Sequence, residues 1–313
     1  MKRLQTFFSA GPVARSSALR HDPAELAEVA NHPDTRFVAL WQSQCLIEHG
    51  RAVYLRREEL GDSWSPDDLV YLGERSRQHL FALELPRQLP ANGPVEERFA
   101  NFRRLLGGVE ADDAAVLAYA KGMLEWQRRH RHCGLCGAPN HATQGGFVMT
   151  CTRDGCSQRC FPRVDPAIIV LVTHADRCLL GHQAGWPDGR YSTVAGFAEP
   201  GESLEDAVAR EVHEETNIQI ADTVYLGSQP WPFPSALMLG FHARARNTDI
   251  CLNDAELAAA DWFSRADLTA GKVVLPPEAS IAFQLIAAWF DEWSGPRLAE
   301  LSLSGDFSRS TGG

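Results

Sequence analysis

The 313-residue sequence contains no apolar run near the roughly 18–20 residues that a membrane-spanning helix requires, which excludes a helical membrane protein. It has no surplus of positive charge. A net charge of −10 argues against a broad electrostatic grip on nucleic acid or anionic membrane, and leaves room only for a local basic patch. No secreted disulfide framework is evident: of eight cysteines, four cluster and the rest are scattered. The N-terminal stretch has basic and serine residues and no acid before Asp22, a faint transit-peptide composition, but its apolar part is too short and broken for a secretory signal. The C-terminal SRSTGG is not a peroxisomal address. No internal repeat is apparent. What remains is an ordinary soluble composition, 44% hydrophobic and 22% charged, long enough for two or three domains, with the cytoplasm as default compartment.

The texture of the chain divides it into four parts. Residues 1–128 form an N-terminal α+β domain without a chemical motif, with strands in RFVALWQSQCLIE and a helix in DDAAVLAYAKGMLEWQRRH. Residues 129–160 are rich in Cys, Gly, Arg and His. Residues 161–295 alternate strands (PAIIVLVTH, RCLLGHQ, YSTVAGFA, TVYLGSQPW, ALMLGFHARA) with two helices, the second placing Ile281, Leu285 and Trp289 in one row and Ala282, Ile286 and Trp293 beside it. Residues 296–313 read as a flexible tail. Cys45, Cys178 and Cys251 read as small buried hydrophobes.

Cys133-Gly-Leu-Cys136 and Cys151-Thr-Arg-Asp-Gly-Cys156 are two knuckles separated by a hairpin's length. Four thiolates from two turns are the ligand set of a tetrahedral Zn²⁺ site, coordinatively closed and therefore structural. The alternative is a set of reduced thiols without metal. His130, His132 and His141 flank the cluster and are expected to face solvent, since four Cys suffice.

In AREVHEETNI, Glu211, Glu214 and Glu215 fall on one face of a helix, where like charges three and four residues apart repel. A shared divalent cation would offset that cost. Ser203 is positioned to cap this helix, Leu204, Ala207, Val208 and Val212 to dock it on a sheet, and Asn217 to end it in the left-handed conformation. Arg210 sits where it can pair with Glu202 or Glu214 and orient the carboxylates.

Gly196, five residues, Glu202, seven residues and then Arg210-Glu211-Val212-His213-Glu214-Glu215 resembles the Nudix box, with Asn217-Ile218 where the box ends in Gly-hydrophobic. The resemblance implies an α/β/α-sandwich in which this loop-helix-loop binds Mg²⁺ or Mn²⁺ through Glu211, Glu214 and Glu215, helped by the carbonyl of Ala195. Four Cys before the box and Ser228-Gln229-Pro230-Trp231-Pro232-Phe233-Pro234-Ser235 after it are similar to the NudC-type NADH pyrophosphatases. Taken alone, that loop also reads as Pro-rich packing. Its prolines should stiffen it into an extended form that holds Trp231 and Phe233 as platforms for a flat ring.

The resemblance runs from about residue 129 to 290, with the N-terminal third family-like only in length. It implies a metal-dependent NAD(H) diphosphatase that also removes NAD caps from RNA, built as a homodimer with one structural Zn²⁺ per chain. Further site residues carry over by position. Phe161 is implied as a substrate contact, Phe197 as a stack on the nicotinamide, Trp231 as a platform across the dimer interface, Glu256 as a further metal-binding acid and Ala282 as a substrate contact. Either Glu211 or Glu256 would orient the water. Two departures stand out: Ser235-Ala236 where the motif ends in a second Ser, and Cys160 at a usually aromatic position. The rival readings are a Nudix hydrolase for ADP-ribose or other nucleotides and a zinc-ribbon RNA-binding regulator.

Overall fold

The computed structural model describes residues 4, 6–9, 11, 13–60, 65–85, 99–253 and 256–302. They fall into two compact units: Phe8–Val164 with Pro230–Ser235, and Met1–Phe7 with Asp165–Gln229 and Ala236–Gly313.

The first unit opens with α1 (Pro23–Asn31), started by Pro23 and by Asp22, whose side chain accepts the backbone N–H groups of Ala24 and Glu25. A six-stranded sheet follows, from β1 (Arg36–Trp41), β2 (Gln44–Glu48), β3 (Arg51–Ala52), β4 (Val70–Arg75), β5 (Gln78–Glu84) and β6 (Phe99–Ala100). Its order is β3-β2-β1-β5-β4, with β6 beside β2; β1 runs antiparallel to β2 and parallel to β5. Strand alternation sends Phe37, Ala39, Tyr71, Phe81 and Leu83 into one core with α1, while Val38, Leu40, Val70 and Leu72 are equally buried. The long α2 (Ala111–Arg129) packs on β1, β4 and β5. Its Asp113 is fully buried, accepting Arg51 Nε at 2.7 Å, Arg75 at 2.8 Å and the Tyr54 hydroxyl at 2.8 Å. Burial alone would raise its carboxyl; the bonds from Arg51, Arg75 and Tyr54 overrule that and hold it below the usual range.

The cysteine-rich segment folds as a small antiparallel sheet, β7 (Asn140–Thr143), β8 (Val148–Cys151) and β9 (Arg159–Cys160), in the order β7-β8-β9. It does not stand apart as its own domain. Tyr71 N–H donates to the Gly145 carbonyl at 2.9 Å and Gln127 Nε2 to that of Gly146 at 2.8 Å. Gly146 has φ +86°, which side chains rarely adopt, and a Cβ there would lie 3.1 Å from the Val70 Cα, so a larger residue would strain the hairpin at its seat.

The second unit contains β10 (Asp165–His174), β11 (Arg177–Gln183), β12 (Val194–Phe197), α3 (Leu204–Thr216), β13 (Ile220–Trp231), β14 (Ala236–Ala245), β15 (Leu257–Ser264), α4 (Arg265–Thr269), α5 (Ile281–Phe290) and α6 (Leu298–Ser302). The sheet order is β13-β14-β10-β11-β15, with β10 parallel to β14 and antiparallel to β11 and β12. Ile169 and Leu171 face α5, and Ile168, Val170 and Val172 face α3. This is the expected α/β/α sandwich. The N-terminal segment returns to this unit: Leu4 N–H bonds the Leu226 carbonyl and Thr6 Oγ1 that of Ser228.

Three local expectations fail. Leu298 is buried in the core at 2% exposure, so order continues past residue 295 into what reads as tail. Cys251 is exposed, unlike Cys45 and Cys178. Trp293 lies beyond the end of α5 and is half exposed, because the helix stops at Phe290 before the row reaches it. Residues 303–313 of the expected tail lie outside the described residues.

Candidate active site

The local sequence dictates α3 from end to end. Ser203 Oγ accepts the Asp206 backbone N–H, and Asn217 closes the helix at φ 61°. Ala207, Val208 and Val212 are wholly buried against β10, which turns the charged residues outward on the other face.

That charged face is organised by one guanidinium. Arg210 donates through Nε and Nη2 to both Glu202 oxygens (2.6 and 3.1 Å), through Nη1 to Glu211 (2.9 Å) and Glu214 (3.0 Å), and through Nη2 to the Phe197 carbonyl (2.9 Å). These bonds raise the Arg210 pKa and lower that of Glu202. Glu211 goes the other way. Burial of its carboxylate pushes its pKa up, Arg210 opposes the shift, and the negative charges of Glu214 and Glu256 add to it. Glu256 therefore acts on Glu211 from outside the helix. Glu215, one turn beyond Glu211, is buried at 4% exposure, whereas half of Glu214 remains open.

Gly196 has a steric reason here that spacing alone does not reveal. A Cβ on it would lie 2.0 Å from the Glu211 carboxyl carbon, so glycine lets β12 pass beneath that side chain with the carboxylate left where it stands. Its neighbour Ala195 pairs with Ile169, and Phe197 pairs with Ala167 and is 60% exposed.

Hard carboxylate oxygens in this number are the donor set that Mg²⁺ or Mn²⁺ prefers. The glutamates stand apart around Arg210. Among the described residues, the set of three or more ligand atoms lying within 4.8 Å of one another is Cys133, Cys136, Cys151 and Cys156. There Cys133 and Cys156 Sγ are 3.8 Å apart and Cys136 and Cys151 Sγ 3.5 Å. A tetrahedron with Zn–S of about 2.3 Å has edges of roughly 3.8 Å, so the thiols fit zinc as they stand. The backbone N–H of Ala138 helps bring the Cys136 thiol down to about 7, favouring the thiolate that a metal needs.

The loop after β13 departs from expectation. Pro232–Ser235 form a turn into β14 and do not continue the chain in extended form. Within the first unit, Trp231 is half-buried and edge-on to Phe233 at 5.0 Å and to Phe8 at 6.4 Å, while Phe233 packs on Phe102 beneath Arg103. Pro232 is buried, and Pro230 and Ser235 are half-buried. Pro234 is exposed.

Two expected ligand contacts are turned inward. Gln229 is fully buried, its amide donating to the Phe7 and Ala279 carbonyls and accepting Ile281 N–H, so it ties the fold together. Ala282 is packed in the core around α5. Ser228 is half-buried with its carbonyl taken by Thr6. Phe161 is half exposed under the Arg159 guanidinium.

A NUDIX domain model matches residues 163–288. An NADH pyrophosphatase-like rudimentary NUDIX domain matches residues 34–126, correcting the view that the N-terminal third shares only its length with the family. The chain is 41% identical to the NAD-capped RNA hydrolase NudC of Stutzerimonas stutzeri over 66% of this chain and 71% of that protein. It is 36% identical to the NAD-capped RNA hydrolase NudC of Mycobacterium bovis over 79% of this chain and 83% of that one. With the NAD-capped RNA hydrolase NUDT12 of Macaca fascicularis it shares 41% identity over 56% of this chain, which spans only 42% of the macaque protein. The two bacterial likenesses extend well beyond the box helix and over most of each relative, so the chain belongs to the NudC-type branch of the Nudix hydrolase family.

Proposed function

We propose that this protein hydrolyses the diphosphate of NAD(H) to nicotinamide mononucleotide and AMP, and removes NAD caps from RNA 5′ ends. Water adds across the P–O–P bridge and each half leaves as a monophosphate. The observation that carries the reading is the carboxylate face gathered on Arg210 beside the exposed Phe197 ring.

Glu211, Glu214 and Glu215, with Glu256 and the Ala195 carbonyl, would hold Mg²⁺ or Mn²⁺, which would neutralise the diphosphate and make the attacking water more acidic. Arg210 keeps the carboxylates aligned and Phe197 stacks on the nicotinamide. Trp231 and Phe161 complete recognition, with Trp231 supplied by the second copy in a homodimer. Zn²⁺ on the four Cys stabilises the fold. The protein acts in the cytoplasm.

Turnover of NADH, NAD-capped RNA and ADP-ribose by one purified sample tests this, with about one Zn per chain by elemental analysis. NADH and capped RNA should be preferred. Trp231→Ala removes stacking worth roughly 1–3 kcal/mol, a five- to hundredfold loss in kcat/KM on NADH, with little change on ADP-ribose, which has no nicotinamide. Preference for ADP-ribose, or equal damage to both substrates, would return the protein to an unassigned Nudix hydrolase.

A further inference from the structure

Inside the first unit a cavity of about 650 Å³ opens where the parallel strands β1 and β5 end. Leu40 and Glu84 are in register there, and the Leu85 N–H bonds the Leu40 carbonyl at 2.7 Å. The carboxyl ends of parallel strands are where open sheets leave room for a ligand. A second wall is α2, whose Lys121, Leu124, Glu125 and Arg128 recur at helical spacing and line the cavity from one face. The third is the cross-strand pair of Ala142 on β7 and Met149 on β8, with Asn140 two residues along on the same face. The 3₁₀ turn before β4 adds Asp67 and Asp68.

The floor is aliphatic, since Leu40, Leu85, Leu124 and Met149 are all buried. Around it, some charges are already matched. Glu125 accepts two bonds from Arg128 and one from Arg129. Others are not. Lys121 Nζ reaches the Ser43 carbonyl at 3.4 Å, Glu84 accepts the Ser43 N–H and Asp68 the Ser65 N–H. Among the described residues, no carboxylate pairs with Lys121 or Arg131, and no cation with Asp67, Asp68 or Glu84. Asn140 donates its amide to the His130 carbonyl, but its Oδ1 is buried with no hydrogen-bond partner among the described residues. A buried acceptor of that kind calls for a donor.

This lining selects by chemistry. Three unmatched carboxylates repel a polyanion, and a purely apolar guest would strand every polar group on the wall. A bare anion would use the two cations and leave the carboxylates and the floor without partners. What fits is one phosphate joined to several hydroxyl or amino donors and a flat apolar body. We propose that this cavity binds a nucleoside 5′-monophosphate, as a second site carried by the first unit. Lys121 and Arg131 take the phosphate, and Asp67, Asp68 and Glu84 the ribose hydroxyls. Asn140 Oδ1 takes an amino hydrogen of the base, whose face lies on the aliphatic floor. The ligand class is argued from the cavity alone; AMP and nicotinamide mononucleotide, the two products of the proposed cleavage, both belong to it.

The full chain labelled with ¹³C-methyl methionine tests this by NMR, because Met149 lines the cavity and Met238 lies in the second unit. Met149→Leu assigns the signal. AMP or nicotinamide mononucleotide should shift the Met149 methyl saturably at about 1 mM or below. Adenosine alone and inorganic phosphate alone should each require at least about tenfold more, since each forgoes half of the contacts. The double variant Lys121→Gln, Arg131→Gln should weaken the nucleotide response about tenfold or more, through loss of two charge-assisted bonds. Its zinc content and Met238 signal should match wild type, which reports an intact fold. Lys121→Arg with Arg131→Lys should keep most of the response. A Met149 signal that stays put at about 5 mM nucleotide, that moves equally in the glutamine variant, or that answers phosphate alone as strongly as nucleotide would overturn the proposal. NADH cleavage is assayed separately on the same sample. A full Met149 response without cleavage keeps the cavity and removes the reaction; cleavage without a response does the opposite.

Discussion

The two units contain the same sheet, and only one of them has the means for chemistry. With the late strand β6 on β2, the first sheet runs β6-β2-β1-β5-β4, and the second β15-β11-β10-β14-β13 in the same chain order, a repeat the sequence does not display. In each, the central strand is antiparallel to its successor and parallel to a later strand. Even the short pairing of β12 with β10 has a counterpart, where Leu55 bridges Phe37. After β12 the chain enters the thirteen-residue α3; between Leu55 and β4 the described residues make only the short 3₁₀ turns Arg57–Glu59 and Pro66–Asp68. The scaffold thus persists without the helix, because long-range strand pairing and alternating apolar faces hold it. In the first unit the principal charged cluster, around Asp113, ties α2 to the sheet; in the second, the cluster around Arg210 gathers the carboxylates proposed above to act on the substrate.

This contrast can be broken from either side. Asp113→Ala should have the largest effect, leaving Arg75, which is only 20% exposed, without its buried partner. A loss of about 3 kcal/mol of stability is expected by urea denaturation, with NADH turnover normal in the folded fraction. Because the Asp113 carboxyl is lowered in the folded state, its contribution is complete above its unfolded pKa of about 3.9 and is lost as pH falls below that toward the folded value. The gap between variant and wild type should therefore be widest at pH 7 and begin to shrink as pH falls below about 3.9. A constant gap would mean that packing, and not the ion cluster, is what Asp113 supplies.

Glu214→Gln should do the reverse. Turnover should fall at least about a hundredfold, roughly 2.7 kcal/mol in the barrier, with the urea midpoint nearly unchanged, since the side chain is half exposed and one repulsion is removed. Near-normal turnover would remove Glu214 from the site. Gly196→Ala sharpens the comparison with the smallest change. The added methyl meets the far end of the flexible Glu211 side chain, which can swing aside, so the fold should survive with a melting temperature close to that of wild type. The displaced carboxylate should cost about tenfold in kcat, in keeping with how steeply catalysis depends on placement. A loss of stability without a loss of rate would show that Gly196 serves only strand packing.

How much could be read in advance follows the same division. α3 was legible in its cap, its apolar stripe, its left-handed exit at Asn217 and the pairing of Arg210, because each depends on residues within a few positions. The four Cys were legible for the same reason. The first unit carries no such local signature; its identity resides in strand order, which joins residues 36 and 80 or 45 and 100. Gln229 and Ala282 misled because a motif conveys that a position matters without conveying which way its side chain faces. The loop around Trp231 reads as extended from its prolines, and its turn is set by contacts with Phe8 and Phe102, more than a hundred residues away in sequence.

Leu4, Thr6 and Phe7 belong with the second unit, bonded to Leu226, Ser228 and Gln229 some 222 positions later, so both units are discontinuous, with Phe8–Val164 and Pro230–Ser235 interrupting the second. During synthesis the segment that finishes the Gln229 cluster emerges early and must wait until more than two hundred residues have followed. Closing a loop of that length by a flexible chain would cost roughly (3/2)RT ln n, several kcal/mol, but a first unit already folded in between shortens the effective loop. Folded first, the span Phe8–Val164 would lower that closure cost without supplying any chemistry.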